Sequence, residues 1–108
     1  MLLAHAIALA EARSYLAALA DQSDALKTTV AYDDALLYLD SIHADQVPAL
    51  ELLPPLETGL LHVLTEKALT DLAPFGLDPL HLELLLAMIG DAREDAAAAM
   101  PPDPGRES

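Results

Sequence analysis

The groups able to do chemistry in this 108-residue chain are four histidines, eighteen carboxylates and five cations, with no cysteine. The missing cysteine excludes disulfides, thiolate catalysis and thiolate-bound metals. His62 and Glu66 stand four residues apart, the spacing that places two side chains together on one helix, and the pattern puts them on the polar side of theirs. A metal centre would need two or three more ligands converging from other helices. The bundle form of such a centre uses Glu-x-x-His steps. Glu57 and His62 are five apart, which turns them away from each other, and the acid of the Asp78–His81 step is better employed as a helix cap. No metal is expected. The glycines are scattered at Gly59, Gly76, Gly90 and Gly105, so there is no phosphate-cradling loop. No catalytic residue and no cofactor are expected, and the chain leans away from being an enzyme.

His5 and His81 fall beside apolar stripes, where a partly buried ring with its polar atoms satisfied is the plain expectation. Facing Asp33 or Asp40, either would instead form the acid–base pair of a small helical enzyme, the alternative to an interaction module. Arg93 falls among Leu82, Leu86 and Ile89 on the apolar stripe of the last helix. An arginine there must reach outward to water or find a carboxylate. Asp33 lies between two apolar strips of another helix and is the expected partner. Asp33, Asp40, Arg93, His5 and His81 are therefore the candidate polar interior, either a ligand pocket or an ion pair that fixes helix register.

These residues are carried by elements that read as helices. Leu and Ala dominate, and both favour helix over strand. The first helix spans about Leu2–Ala20, with Leu2, His5, Leu9, Ala12, Leu16 and Leu19 on one stripe and Leu3 and Ile7 on a second. Asp21–Asp24 is a polar break with capping chemistry. The second helix spans about Asp24–His43, with one strip of Leu26, Val30 and Leu37 and another of Tyr32, Leu36, Leu39, Ile42 and His43. Pro48, Pro54 and Pro55 interrupt the connection that follows. The third helix begins at Pro54 or Pro55 and runs to about Leu72, with Leu56, Leu60, Val63, Leu64, Ala68 and Leu72 as its apolar face. Pro74 and Gly76 end it, Asp78–Pro79 opens the fourth, and that helix reaches about Ala99. The expected fold is all-α, a four-helix bundle in one domain over residues 1–99, with the last two helices as a tight antiparallel hairpin. Residues 100–108 hold three prolines and no Leu, Ile or Val, and read as a disordered tail.

The segment Leu37-Tyr38-Leu39-Asp40-Ser41-Ile42 resembles the Leu-Gly-x-Asp-Ser-Leu/Ile signature of acyl carrier proteins, which are also small, acidic and four-helical. The resemblance covers six residues. It implies Ser41 as a phosphopantetheine attachment point and a carrier or ligand-binding function. It departs where Tyr38 replaces the usual Gly, where Asp45 and Pro48 interrupt the helix expected to follow, and in lying inside a helical stretch.

The net charge of −13 disfavours phosphate backbones and anionic membrane surfaces, and favours a basic partner. No nucleic acid and no membrane are expected as partners, and the chain reads as cytoplasmic. The fourth helix is apolar on most of its girth: Leu82, Leu85, Leu86, Ile89, Ala92 and Ala96 on its main side, Leu80, Leu84 and Met88 on another. A helix of that kind is central or lies at an oligomer interface. The expectation is an interaction or regulatory module, a homodimer built on Leu80, Leu84 and Met88 with Leu61 of the third helix contributing, or a binder of a basic protein.

Overall fold

A computed structural model describes residues 3–43, 53 and 56–99, with side chains described as far as residue 94. The expected tail at 100–108 and the proline-rich connection lie outside the described residues. The protein is all-α: α1 (Leu3–Gln22), α2 (Leu26–His43), α3 (Thr58–Thr70) and α4 (Pro79–Ala99), with a single tight turn of helix, Ala73–Phe75, between the last two.

Local chemistry sets the helix ends. The Ser23 hydroxyl donates to the Leu19 carbonyl at 2.8 Å and closes α1, rather than capping α2. Glu57 is the N-cap of α3, in extended conformation, and its carboxylate accepts from the backbone N–H groups of Gly59 and Leu60. That fixes the start of α3 at Thr58, not at Pro54 or Pro55. The Asp78 carboxylate accepts from the Leu80 N–H at 2.9 Å, with Pro79 as the first residue of α4, as the sequence implies.

The core is one cluster. α1 contributes Leu9, Ala12, Leu16 and Leu19, and α2 contributes Tyr32, Ala35 and Leu39. Leu61, Ala68 and Leu69 come from α3, and Leu85, Ile89 and Ala92 from α4. Leu9, Ala12, Leu16 and Leu19 of α1 and Leu85, Ile89 and Ala92 of α4 are buried where the periodicity puts them, Leu82 and Leu86 are half-buried, and Leu2 and the Ala96 side chain lie outside the described residues. On α2 only the Tyr32–Leu39 strip is inward; Leu26, Val30 and Leu37 are exposed. On α3 the face differs from expectation. Leu60 and Val63 are exposed, whereas Leu61, His62 and Thr65 are buried. Polar side chains can enter the core here because each finds a partner; the Thr65 hydroxyl donates to the Leu61 carbonyl at 2.7 Å.

α1 packs against α2 and α3, and α4 packs against α2, while α3 and α4 meet more sparsely than these pairs. The α3–α4 hairpin is therefore looser than the tight one expected from sequence. The turn at Ala73–Phe75 and the left-handed Gly76 (φ 100°) separate the two helices. Thr58 meets Gln22 at one end of the molecule, and His5 meets His43 at the other. Hence α1 runs antiparallel to both α2 and α3. Tyr38 meets His81, so α2 also runs antiparallel to α4. Among the described residues, no helix is long and apolar enough to cross a membrane.

Candidate functional site

The polar interior forms around a different arginine from the one the stripe pattern selects. Arg93 is exposed, and so is Asp33, and no ion pair joins them. The reason is angular. Arg93 lies on the flank of α4 shared with Leu82 and Leu86, which are only half-buried, and near the end of the helix that flank opens to water. Arg93 is still felt inside. Burial pushes the Tyr32 phenol above its ordinary range, and the Arg93 charge partly opposes that shift.

The partly buried arginine contact is Arg13 of α1 with Asp40 of α2. Nε donates to Oδ1 at 2.7 Å and Nη2 to Oδ2 at 3.2 Å, the two-pronged geometry that guanidinium and carboxylate favour. The side chains retain 11% and 25% exposure, so the pair is largely withdrawn from water. Only the rough axial level of the two residues is available in the sequence. The short Ser23–Ala25 turn makes α1 and α2 neighbours, and Arg13 and Asp40 lie within about one and a half turns of equal distance from it.

The four histidines divide into three environments. At one end of the molecule His5 stacks on Phe75, with centroids 5.1 Å apart and planes 3° off parallel, and meets His43 edge-on at 5.4 Å. Burial, and then the neighbouring His43, lower the His5 pKa. The His43 Nδ1 lies 2.9 Å from the Leu39 carbonyl, so it carries the hydrogen. His81 meets Tyr38 edge-on at 5.8 Å, and its enclosed Nδ1 has no hydrogen-bond partner. Neither His5 nor His81 makes a hydrogen bond to Asp33 or Asp40, so the acid–base pair is not assembled.

His62 resembles a catalytic dyad at first sight and is not on the polar side of α3. It is 4% exposed, with Nδ1 2.9 Å from a Glu66 carboxylate oxygen and Nε2 3.2 Å from the Ile89 carbonyl. Both partners are acceptors. A neutral ring donates to one of them and the imidazolium to both. With both nitrogens occupied, the ring has none free for a substrate, and its contact with Ile89 ties α3 to α4.

Ser41 is exposed in the last turn of α2, and its hydroxyl donates to the Tyr38 carbonyl at 2.7 Å. The carrier-like segment thus lies within a helix and near its end. Of the residues expected at an interface, Leu80 and Leu84 are 72% and 47% exposed. Met88 is half-buried against the core, and Leu61 is fully buried within it, which removes Leu61 from any interface. Among the described residues no group of three or more histidines and acids is placed to hold a metal ion. A shallow cleft of about 140 Å³ lies between α1 and α3, lined by Glu11, Tyr15, Leu64, Lys67, Ala68 and Asp71. Its Lys67–Asp71 ion pair, at 3.0 Å, sits on exposed side chains. Nothing in it converges on a ligand. Compared with protein-family models, curated proteins and solved structures, the chain finds no match.

Proposed function

We propose that this protein is a non-enzymatic interaction module that associates with a second copy of itself through the first turns of α4. The observation that carries the reading is the outward line of Leu80 and Leu84, one turn apart, with Met88 next along the same side. The opposite side of α4 already fills the core through Leu85, Ile89 and Ala92. Two large leucines left in water one turn apart on one side of a helix are the start of an apolar patch, which supports a contact surface there. The histidine chemistry supports the same reading, because the ring nitrogens of His62 are committed to structural contacts.

Sedimentation of the protein across micromolar concentrations tests this. The wild type should be a dimer. Leu84→Glu should be a monomer that keeps its helical circular dichroism, since position 84 faces out and the substitution opens no cavity. A wild-type monomer throughout that range would end the self-association reading.

A further inference from the structure

We infer that the outward face of α2 is a docking surface for a basic amphipathic helix of a partner protein. The inference rests on the reading of the chain as an interaction module, and assigns a face separate from that on α4. Leu26, Val30 and Leu37 are 78%, 47% and 65% exposed. At about 100° per residue they fall within one sector roughly 40° wide, opposite the buried Ala35 and Leu39. Asp33 and Asp34 occupy the gap between Val30 and Leu37 and flank the sector, one on each side. Both are exposed, and neither belongs to an ion pair among the described residues. Asp40 on the same helix is, by contrast, neutralised by Arg13.

An apolar line with a carboxylate on either flank is the complement of a helix that carries leucines on one stripe and lysines or arginines beside it. A second copy of this chain suits the face poorly. It would bring four like carboxylates together at the centre of the contact, on a molecule already at −13.

The test uses the full chain and a designed 18-residue peptide with leucines at i, i+4, i+7 and i+11 and lysines on both flanks. A control peptide has the same composition in an order that leaves no apolar face. Fluorescence anisotropy reads binding. The ordered peptide should bind at least about tenfold more tightly than the control. Val30→Glu and Leu37→Glu should each weaken binding by about tenfold. The Asp33→Asn/Asp34→Asn double variant should weaken it and flatten its salt dependence. That variant changes exposed charges alone and leaves the core untouched, so its effect is interpretable even if an apolar-to-acid variant folds poorly. Equal binding of both peptides, or unchanged binding on Leu37→Glu, would overturn the inference. So would a Leu37→Glu variant that lost self-association and kept peptide binding, which would hand the face to a second copy. Partition onto phosphatidylcholine vesicles in place of peptide binding would also overturn it. A wild-type monomer that still binds the ordered peptide removes the α4 reading and leaves this one standing; a dimer indifferent to the peptide does the reverse.

Discussion

The Arg13–Asp40 pair is a case in which removing one partner should cost more than removing both. Asp40→Asn keeps the shape and leaves a guanidinium with 11% exposure facing a neutral amide. The expected loss is about 1–3 kcal/mol, because the remaining charge keeps its desolvation cost. Arg13→Met with Asp40→Leu should recover most of it. Urea unfolding of the three variants decides the matter, and additive losses in the double variant would show that the pair acts only through its separate atoms. His5 gives a second prediction at this scale. Its folded pKa lies below the unfolded value near 6.5, so its contribution is intact above that pH and is lost as pH falls through the folded value. His5→Phe should therefore soften the decline of the melting temperature below about pH 6.5, while retaining a ring to stack on Phe75. An unchanged acid limb would mean that other groups control it. The sequence revealed which residue types would lie inside but not which partners they would take. Asp40 and His5 were legible as interior groups. Arg13 was not, because it stands outside the apolar stripe of α1 and its long side chain reaches inward across the helix interface.

For the elements, legibility followed how completely burial matched polarity. The buried members of the α1 and α4 stripes are all apolar, so helical spacing located both. α3 broke the rule because its inward face includes His62 and Thr65, whose polar atoms are satisfied within the fold. A count of apolar residues then favours the face with Leu60 and Val63, which is the wet one. The proline-based start of α3 failed for a related reason. Glu57 is long for a cap, yet its carboxylate curls back onto the Gly59 and Leu60 N–H groups and lies against the bare glycine. A Cβ at Gly59 would come within 2.9 Å of the Glu57 carboxylate. Gly59→Ala and Glu57→Ala should consequently act through the same cap. Glu57→Ala is expected to cost about 1 kcal/mol, and Gly59→Ala should add little in its background. Beyond α3, where Gly76 closes the Ala73–Phe75 turn, Gly76→Ala forces a side chain into φ 100° and should cost about 1–2 kcal/mol although the space around it is open. Thermal denaturation read by circular dichroism measures all of these, and a neutral Gly76→Ala would mean that the turn can relax.

On the scale of the whole molecule, charge and apolar surface pull in opposite directions, and their balance sets how association must respond to salt. Two subunits of −13 repel each other through water at any approach. The Leu80 and Leu84 surface attracts with no sign of charge. At about 0.01 M ionic strength the Debye length is about 30 Å, comparable with a domain of this size, so most of the subunit charge opposes contact. At about 1 M it falls to about 3 Å, and only carboxylates at the contact itself still count. Self-association through α4 should therefore tighten as salt rises. Docking of a basic helix on α2, driven partly by Asp33 and Asp34, should weaken over the same range. The opposite slopes separate the two faces without any mutation, by sedimentation and peptide anisotropy on one sample across a salt series. For the dimer to be specific it should bury more than about 1,000 Å² in total, which two leucines cannot supply, so neighbouring turns of α4 must join the contact. Hydrogen exchange should then slow over the first turns of α4 as protein concentration rises, while α2 changes only when the peptide is added. Protection that rises on α2 with protein concentration alone would place the self-contact there, and would leave Leu80 and Leu84 exposed in the associated state.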